Sequence, residues 1–360
     1  MKLFIGRVFM VMILLSGFVY GQGVTTAAIS GKVTNTDGEV LIGANVIALH
    51  VPTGTVYGAS TMTDGYYYIP NMKIGGPYVV SASYIGYADQ RKDDLFLALN
   101  VDEFYGFNLH AEAMQGGTVL ITAEQSEINP NRTGAEISIN TELLESLPTI
   151  SRGQKDFTRL TPESDGNSFG GRNNLYNNFS LDGSIFNNPF GLDYAVPGGQ
   201  TEAQPVSLDA IEQVQVSIAP FDVREGGFTG AGINAVTKSG TNTFKASVYH
   251  YLRNEALVGT KVGDVEAENL DFATSQSGIS LGGPIIKDKV FYFVNFETER
   301  RDQLAHNFIA DDGSTGANVT SVDADSVAMV QARLRDYWGY EPGAYQGYNH
   351  KTFNNKLLAK

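Results

Sequence analysis

The chemistry that the residue pattern first suggests is that of a serine nucleophile. Residues 166–170, GNSFG, fit the G-x-S-x-G pattern, which requires a strand before the serine, a helix after it, and histidine and acidic partners. The next residues, GRNNLYNN, have no helical apolar period, and the nearest histidine along the chain is His110. We therefore interpret Ser168 as a chance match in a glycine-rich loop, and we predict no catalytic residue and no enzyme.

Metal and phosphate sites have weaker support still. The chain has no cysteine, and its five histidines form no H-x-x-x-H pair, so a zinc site is not expected. Asp323 and Asp325 lack the glycine and distal glutamate of a calcium loop, and we expect Asp325 or Ser326 to cap the helix that follows. The glycines within residues 227–232 do not have the spacing of a phosphate-binding loop. We predict no cofactor and no metal.

Charge and composition exclude further classes of function. The 360 residues carry 25 Lys and Arg against 39 Asp and Glu, a formal net charge of −14. Such a chain repels phosphate backbones, so nucleic acid is not expected as a partner. The 40 glycines, 11% aromatic residues and only 18% charged residues are typical of β structure with many turns.

Residues 1–21 have the pattern of a secretory signal peptide. Lys2 and Arg7 precede an apolar stretch at residues 8–19, VFMVMILLSGFV, and cleavage is expected between Gly21 and Gln22. This stretch is too short to span a bilayer as a helix, which takes ~20 apolar residues. We expect the chain to be exported, and any entry into a membrane to use β-strands.

Residues 27–110 show the spacing of a compact β-sandwich. Short apolar runs are separated by Asp-Gly, Pro and Gly turn residues, and some of the runs alternate with period two. The predicted strands are residues 29–33, 45–50, 56–61, 66–69, 78–84, 94–99 and 104–109. The order ISGKVTNTDGEVLIGANVIAL, TMTDGYYYIPNM, YVVSASYIGYADQ resembles the carboxypeptidase regulatory-like domain. That resemblance implies a non-catalytic, seven-stranded, transthyretin-like sandwich.

Residues 111–130 lose this periodicity and are interpreted as a linker. Within it a six-residue β-prone stretch is formed by Thr118, Val119, Leu120, Ile121, Thr122 and Ala123. An isolated extended segment is suited to β-augmentation, in which a partner's sheet gains a strand. The stretch resembles a TonB box in sequence and position. The alternative is that it forms the last strand of the sandwich or the first strand of the next domain.

Residues 131–240 are predicted to form a mixed α/β domain with two short helices and a glycine- and asparagine-rich middle. The pieces SLPTISRGQKDFTRLTPES, GRNNLYNNFSLDGS and SLDAIEQVQVSIAPFDVREGGFTGAGINAVTKSGTN resemble the plug of TonB-dependent receptors of the Oar-like subgroup. Charged residues such as Arg172 and Asp182 are expected to hold the plug in place. Possible substrate-facing residues at the plug apices are Asn173, Asn174, Asn187 and Asn188.

Residues 241–360 change to aromatic-rich strands that alternate apolar and polar residues, separated by one short turn and long loops. In residues 290–300, for instance, Asn295, Glu297 and Glu299 share one face. This pattern is typical of a transmembrane β-barrel, and LGGPIIKDKVFYFVNFE resembles the early barrel of Oar-like receptors. Because receptors of this class have 22 strands, we expect the sequence to be the N-terminal piece of a longer receptor. The predicted fold class is mainly β.

The resemblance implies an outer-membrane importer of a Gram-negative, Bacteroidetes-type cell, with the sandwich in the periplasm. Its partners would be the periplasmic TonB complex, outer-membrane lipid and an unknown extracellular substrate, and the plug would gate passage through the barrel. The alternative is a structural or adhesive surface protein that is anchored in the outer membrane and transports nothing.

The signal-peptide interpretation gives a direct prediction. Mass spectrometry of the exported protein should find a mature N-terminus at or close to Gln22, because small residues precede the expected cleavage site. Recovery of the exported chain with residues 1–21 still attached would contradict it.

Overall fold

The computed structural model describes residues 24–111, 119–121, 136–146, 148–149, 152–166, 168–188, 204–220, 225–259, 261–266, 271–316 and 318–360. The predicted signal peptide and most of the predicted linker lie outside these residues. Strands predominate among the described elements, so the mainly β prediction is confirmed. The chain forms two compact units. The first contains residues up to 245 together with residues 281–294 and 358–360, and the second contains residues 246–280 and 295–357.

The first part of the chain is a sandwich of two sheets. Its strands are β1 (Ala27–Asn35), β2 (Asn45–His50), β3 (Thr55–Ser60), β4 (Tyr66–Met72), β5 (Gly75–Ser83), β6 (Gln90–Leu97), β7 (Asp102–Phe104), β8 (Phe107–Leu109) and β9 (Val119–Ile121). One sheet has the order β4-β1-β7, with β8 also paired to β1, and the other has the order β3-β2-β5-β6-β9.

Period-two burial explains why these segments become strands. On β5, Tyr78, Val80 and Ala82 are fully buried, whereas the residues between them are partly exposed. Their inward faces join one apolar core with residues such as Ile29 and Val46. Burial of apolar area is the main favourable term in folding, at about 25 cal/mol per Å², so this alternation determines which face of each strand turns inward.

A tyrosine contact divides the last predicted strand of the sandwich in two. The Tyr67 hydroxyl donates to the Tyr105 carbonyl at 2.7 Å, and the Tyr105 N–H donates to the Ser30 carbonyl at 2.8 Å. The backbone of Tyr105 lies so close to Gly31 that a Cβ on that glycine would sit 1.9 Å from the Tyr105 oxygen. The prediction of one strand over residues 104–109 is therefore wrong, because Tyr105 uses its backbone groups in this contact between β7 and β8.

His50 is a buried polar residue of the sandwich core. Its Nδ1 lies 2.6 Å from the Thr53 hydroxyl, and its ring packs on Tyr78 with a centroid distance of 4.8 Å. Burial, with a smaller contribution from the positive charge of Lys73, lowers the pKa of His50 to about 4. The imidazole is therefore neutral in the folded protein at neutral pH.

The second part of the chain is built on a five-stranded mixed sheet. Its order is β10-β15-β16-β13-β14, and a separate hairpin pairs β11 with β12. Adjacent strands run antiparallel, except that β13 and β16 are parallel. The strands are β10 (Glu136–Asn140), β11 (Ser164–Asp165), β12 (Ser168–Phe169), β13 (Asn178–Leu181), β14 (Ser184–Ile185), β15 (Ile211–Ser217) and β16 (Gly232–Thr237).

Two short helices follow β10 and pack with this sheet. Helix α1 (Thr141–Ser146) begins after Asn140, whose side-chain oxygen accepts from the Leu143 N–H at 2.9 Å. Helix α2 (Gln154–Thr158) begins after Gly153, and the Asp156 carboxylate accepts from the Gly153 N–H at 3.2 Å. The side chains of Leu144 and Phe157 are buried in the apolar core of this part.

The remaining strands form a four-stranded sheet of order β17-β20-β21-β24, beside the two small pairs β18-β19 and β22-β23. They are β17 (Lys245–Asn254), β18 (Lys261–Val262), β19 (Val265–Glu266), β20 (Phe272–Ile286), β21 (Val290–Leu304), β22 (Ile309–Asp311), β23 (Val319–Asp323) and β24 (Asn349–Ala359). On β21 the polar residues Asn295, Glu297 and Glu299 are buried, whereas Phe296 is exposed.

Helix α3 (Ala324–Trp338) lies between β23 and β24, and Gly339 ends it with φ 62°. The expectation that Asp325 or Ser326 caps this helix is wrong. The Asp323 carboxylate is the cap, and it accepts from the Ser326 N–H at 2.8 Å. Among the described residues, no helix is long and apolar enough to cross a membrane.

The buried His50 generates a prediction about acid stability. Because its folded pKa of about 4 lies below the ordinary value near 6.5, protonation favours the unfolded chain. This contribution to stability is complete above pH 6.5 and is lost as the pH falls towards 4, by up to about 3 kcal/mol. Urea unfolding of the purified chain at several pH values, followed by tyrosine circular dichroism, measures the loss.

The matched control for this prediction is His50→Asn, which keeps a polar atom near the Nδ1 position but does not titrate. Carboxylates also titrate in this range, so the quantity of interest is the difference in pH dependence between the two proteins. The variant should lose less stability between pH 6.5 and 4 than the wild type. Equal losses in both proteins would show that His50 is not the group responsible.

Candidate functional site

The described residues of the predicted partner-binding segment form β9, an edge strand of the sandwich. β9 runs parallel to the start of β6, with Val119 opposite Gln90, Leu120 opposite Arg91 and Ile121 opposite Lys92. Thr118, Thr122 and Ala123 lie outside the described residues. This placement agrees with the alternative that the segment forms the last strand of the sandwich. Capture by a partner stays a prediction.

Strand β6 becomes irregular just beyond the residues that pair with β9. Its pairing with β5 shifts register between Lys92 and Leu95, and Asp94 adopts a left-handed φ of 56°. An extra residue in one strand bends it and interrupts the ladder. The regular part of the β6 edge therefore ends at Lys92, which is the last residue of β6 that pairs with a described residue of β9.

Buried amide groups join the sandwich to the plug-like sheet. The side-chain oxygen of Gln213 on β15 accepts from the Leu99 N–H at 3.0 Å, and its amide donates to the Ser138 hydroxyl on β10. Glu225 accepts from the Asn100 amide at 3.0 Å and from the Asn234 amide at 3.4 Å. A buried polar group without a partner is costly, so these bonds specify how the two parts meet.

A cavity of about 700 Å³ lies at this junction. Five carboxylate side chains line it: Asp93, Asp94 and Glu103 from the sandwich, and Glu142 and Glu212 from the plug-like domain. Among the residues that the structure describes, no group of three or more histidine, aspartate or glutamate side chains is placed to hold a metal ion.

The G-x-S-x-G segment has the geometry of a hairpin. Ser168 lies in the two-residue strand β12, opposite Asp165 of β11. The next element along the chain is the 3-10 turn Asn174–Tyr176, so Ser168 is not followed by the helix that a nucleophile elbow requires.

The four predicted substrate-facing asparagines take different roles. Asn173 is exposed and caps the turn Asn174–Tyr176 by accepting from the Leu175 N–H at 2.9 Å. Asn187 accepts from the Phe179 N–H at 2.7 Å and donates to the Asn178 side chain at 2.8 Å. Asn174 and Asn188 are partly buried. Contact between these asparagines and a substrate stays a prediction.

Asp182 bonds to groups at the end of the sheet, and its predicted role in holding the plug in place stays a prediction. Its carboxylate accepts from the Thr237 N–H at 2.9 Å and lies 3.3 Å from the Lys360 ammonium. Arg172 is exposed.

A buried ionic network lies on the polar face of β21. The Lys356 ammonium of β24 lies 2.5 Å from Glu297 and 3.3 Å from Glu299, and the Tyr249 hydroxyl also donates to Glu297. The sequence pattern placed both glutamates on one face of the strand. It did not indicate Lys356, because that residue is 59 positions from Glu297 and follows a long loop.

Two family models match separate parts of this chain. Residues 28–109 match the carboxypeptidase regulatory-like domain, and residues 236–318 match the outer membrane beta barrel domain. Over 311 residues, 79% of this chain, the sequence is 25% identical to the TonB-dependent transporter Oar of Myxococcus xanthus. The match covers 28% of that protein, so the chain spans little more than a quarter of its curated relative.

Solved structures give weaker likenesses. The outer membrane transporter YddB from Escherichia coli is 15% identical with a TM-score of 0.38, over 51% of this chain and 28% of that one. The siderophore receptor PirA from Acinetobacter baumannii is 18% identical with a TM-score of 0.34, over 48% of this chain and 25% of that one. On the sequence matches, the chain is similar to a TonB-dependent transporter and contains segments that match the carboxypeptidase regulatory-like domain and the outer membrane beta barrel domain.

Proposed function

We propose that this chain is the N-terminal part of an outer-membrane importer driven by the periplasmic TonB complex. Its domains are a signal peptide (1–21), a periplasmic sandwich (27–110), a linker (111–130), a plug (131–240) and the start of the barrel (241–360). Residues 118–123 are the segment that the TonB complex captures. The observation that carries the proposal is β9, an extended strand in this linker that ends its sheet.

Strand addition is the chemistry that an edge strand offers. Within the described residues, β9 has a neighbour on one side alone, so the backbone groups on its other side can accept a strand from a partner. Such binding depends on main-chain hydrogen bonds, and it suits a segment with small and β-branched residues.

The plug responds to force through its own edge strand. Among the described residues, β10 is the first strand after the linker and lies at the edge of its sheet, where it is antiparallel to β15 from Glu136 opposite Ser217 to Asn140 opposite Gln213. A pull on the linker reaches β10 before any other described strand of the plug. An edge strand has one ladder to break, so its removal opens the plug without first disrupting the buried strands β15 and β16.

The capture step predicts that Ile121→Pro prevents coupling. Proline removes the backbone N–H and resists strand pairing, so energised uptake by the whole receptor should be abolished while insertion of the barrel is unchanged. Ile121→Val keeps the N–H and is the matched control. Uptake by both variants at the wild-type rate would show that the coupling segment lies elsewhere in the chain.

The plug assignment predicts a change in conductance. Deletion of residues 131–240 from the whole receptor should leave a wide aqueous channel, because a lumen that holds a folded domain conducts ions once it is emptied. Conductance in planar bilayers should rise sharply and TonB-dependent uptake should disappear. Equal conductance with and without these residues, in a correctly inserted barrel, would instead favour an anchored surface protein whose residues 131–240 form an exposed domain.

A further inference from the structure

The turn between β2 and β3 contacts two segments of the predicted barrel. The Asn242 N–H, which lies just before β17, donates to the Pro52 carbonyl at 2.8 Å. The Asn242 side chain donates to Asp288 Oδ1 at 2.7 Å and accepts from the Asp288 N–H at 2.8 Å. Asp288 lies in the short turn between β20 and β21, and all of these residues belong to the first compact unit. Asn242 therefore connects the sandwich to that turn.

Gly54 brings the two turns into direct contact. It has a left-handed φ of 69°, which a glycine adopts without strain. A Cβ at this position would lie 2.6 Å from Asp288 Oδ1, closer than two such atoms can approach. The Asp288 carboxylate can therefore accept from the Asn242 amide in this position because residue 54 has no side chain.

The sandwich holds the turn in a fixed conformation. The Thr53 side chain points inward and is 2% exposed, and its hydroxyl lies 2.6 Å from His50 Nδ1 and 2.9 Å from the Thr55 hydroxyl. The Gly54 N–H donates to the His50 carbonyl at 2.8 Å. Because these bonds order the turn from within the sandwich, little conformational entropy is lost when the Pro52 carbonyl accepts from Asn242.

We propose that residues 52–54 are an anchor that fixes the sandwich to the periplasmic rim of the barrel independently of the plug. The inference rests on the proposed function in one respect, the assignment of residues 241–360 to the start of the barrel. Short turns of outer-membrane barrels lie on the periplasmic side. The turn that contains Asp288 is therefore on the side where the proposed function has the sandwich.

The contact of the sandwich with the plug-like sheet uses other residues. There the Leu99 N–H donates to Gln213, and the Asn100 amide donates to Glu225. Among the described residues, these bonds and those of Asn242 have no residue in common. Changes at sites that share no partner are usually additive. The plug can therefore lose its bonds to the sandwich while the sandwich stays at the rim.

Backbone amide exchange in the purified whole receptor tests this inference, because each junction has its own reporter. The Asn242 N–H reports the anchor, since its acceptor is the Pro52 carbonyl. The Leu99 N–H reports the plug junction, since its acceptor is the Gln213 side chain. A hydrogen-bonded amide exchanges after its bond opens locally, and mass spectrometry of peptides that contain each residue measures the rate.

Gly54→Ala should raise the exchange rate of the Asn242 amide by about tenfold or more, because the methyl group displaces Asp288 and loosens the bonds of Asn242. The Leu99 amide should keep its rate. The matched control is Gly38→Ala, since Gly38 also has a left-handed φ, 82°, and no described atom lies within 4 Å of its Cβ position. This control has the same backbone strain without the obstacle, and it should leave both rates unchanged.

A second substitution separates the obstacle from damage to the turn itself. Asp288→Gly removes the carboxylate and suits the left-handed φ of 61° at that position. The double variant Gly54→Ala with Asp288→Gly should therefore exchange the Asn242 amide more slowly than Gly54→Ala alone. An equal rate in the two variants would show that the methyl group disrupts the sandwich turn, and the anchor would lose its support.

Gln213→Met tests the independence of the two junctions. It keeps the size of the side chain and removes the acceptor, so the exchange rate of the Leu99 amide should rise by about tenfold while the rate of the Asn242 amide stays the same. A rise at Asn242 as large as that in Gly54→Ala would refute independence.

Two further results would refute the anchor. One is an Asn242 amide that exchanges in the wild type as fast as in an unstructured peptide, and the other is an equal Asn242 rate in the wild type and Gly54→Ala. Neither measurement depends on transport. Absence of TonB-dependent uptake by the wild-type receptor would refute the proposed function while leaving the exchange rates, and the anchor, as they are.

Discussion

Unpaired backbone groups at the edges of β-sheets are the constraint on which this structure depends. A strand at a sheet edge presents N–H and C=O groups that pair with water, with another part of the chain, or with another protein. The sandwich ends one of its sheets with β9, and the plug-like sheet ends in β10. Among the residues that the structure describes, each of these two strands has one neighbour, and the segment that the proposed mechanism uses contains β9.

Buried polar side chains specify how the sandwich and the plug-like sheet are positioned relative to each other, which apolar packing alone does not. Gln213 lies in the plug-like sheet, yet it bonds both to β10 and to the backbone of Leu99 in the sandwich. Apolar surfaces can slide with small changes in free energy, whereas an amide that loses its partner in a buried site is costly. The position of the sandwich relative to the plug-like sheet therefore depends on a few amides and on Glu225.

Local pattern was enough to predict most strands, because period two and turn residues are properties of short segments. The tertiary contacts were not predictable in this way. The split at Tyr105 depends on the Tyr67 hydroxyl, 38 residues earlier, and the partner of Glu297 is Lys356. The pairing of β9 with β6 is parallel and non-local, so the sequence indicated an extended segment and left its neighbour open.

The left-handed residue Asp94 has a consequence for how fast the protein can respond. Because the described pairing of β9 with β6 joins three residues of each strand and the bulge lies just beyond it on β6, β9 can separate as a local opening, without unfolding of the sandwich. Openings of this size occur in microseconds to seconds, whereas loss of a domain core takes far longer. A substitution that moved the bulge along β6 would lengthen or shorten the ladder and so change the lifetime of the pairing between β9 and β6. A change at one position of β6 would thus adjust this lifetime without any change in the sequence of β9.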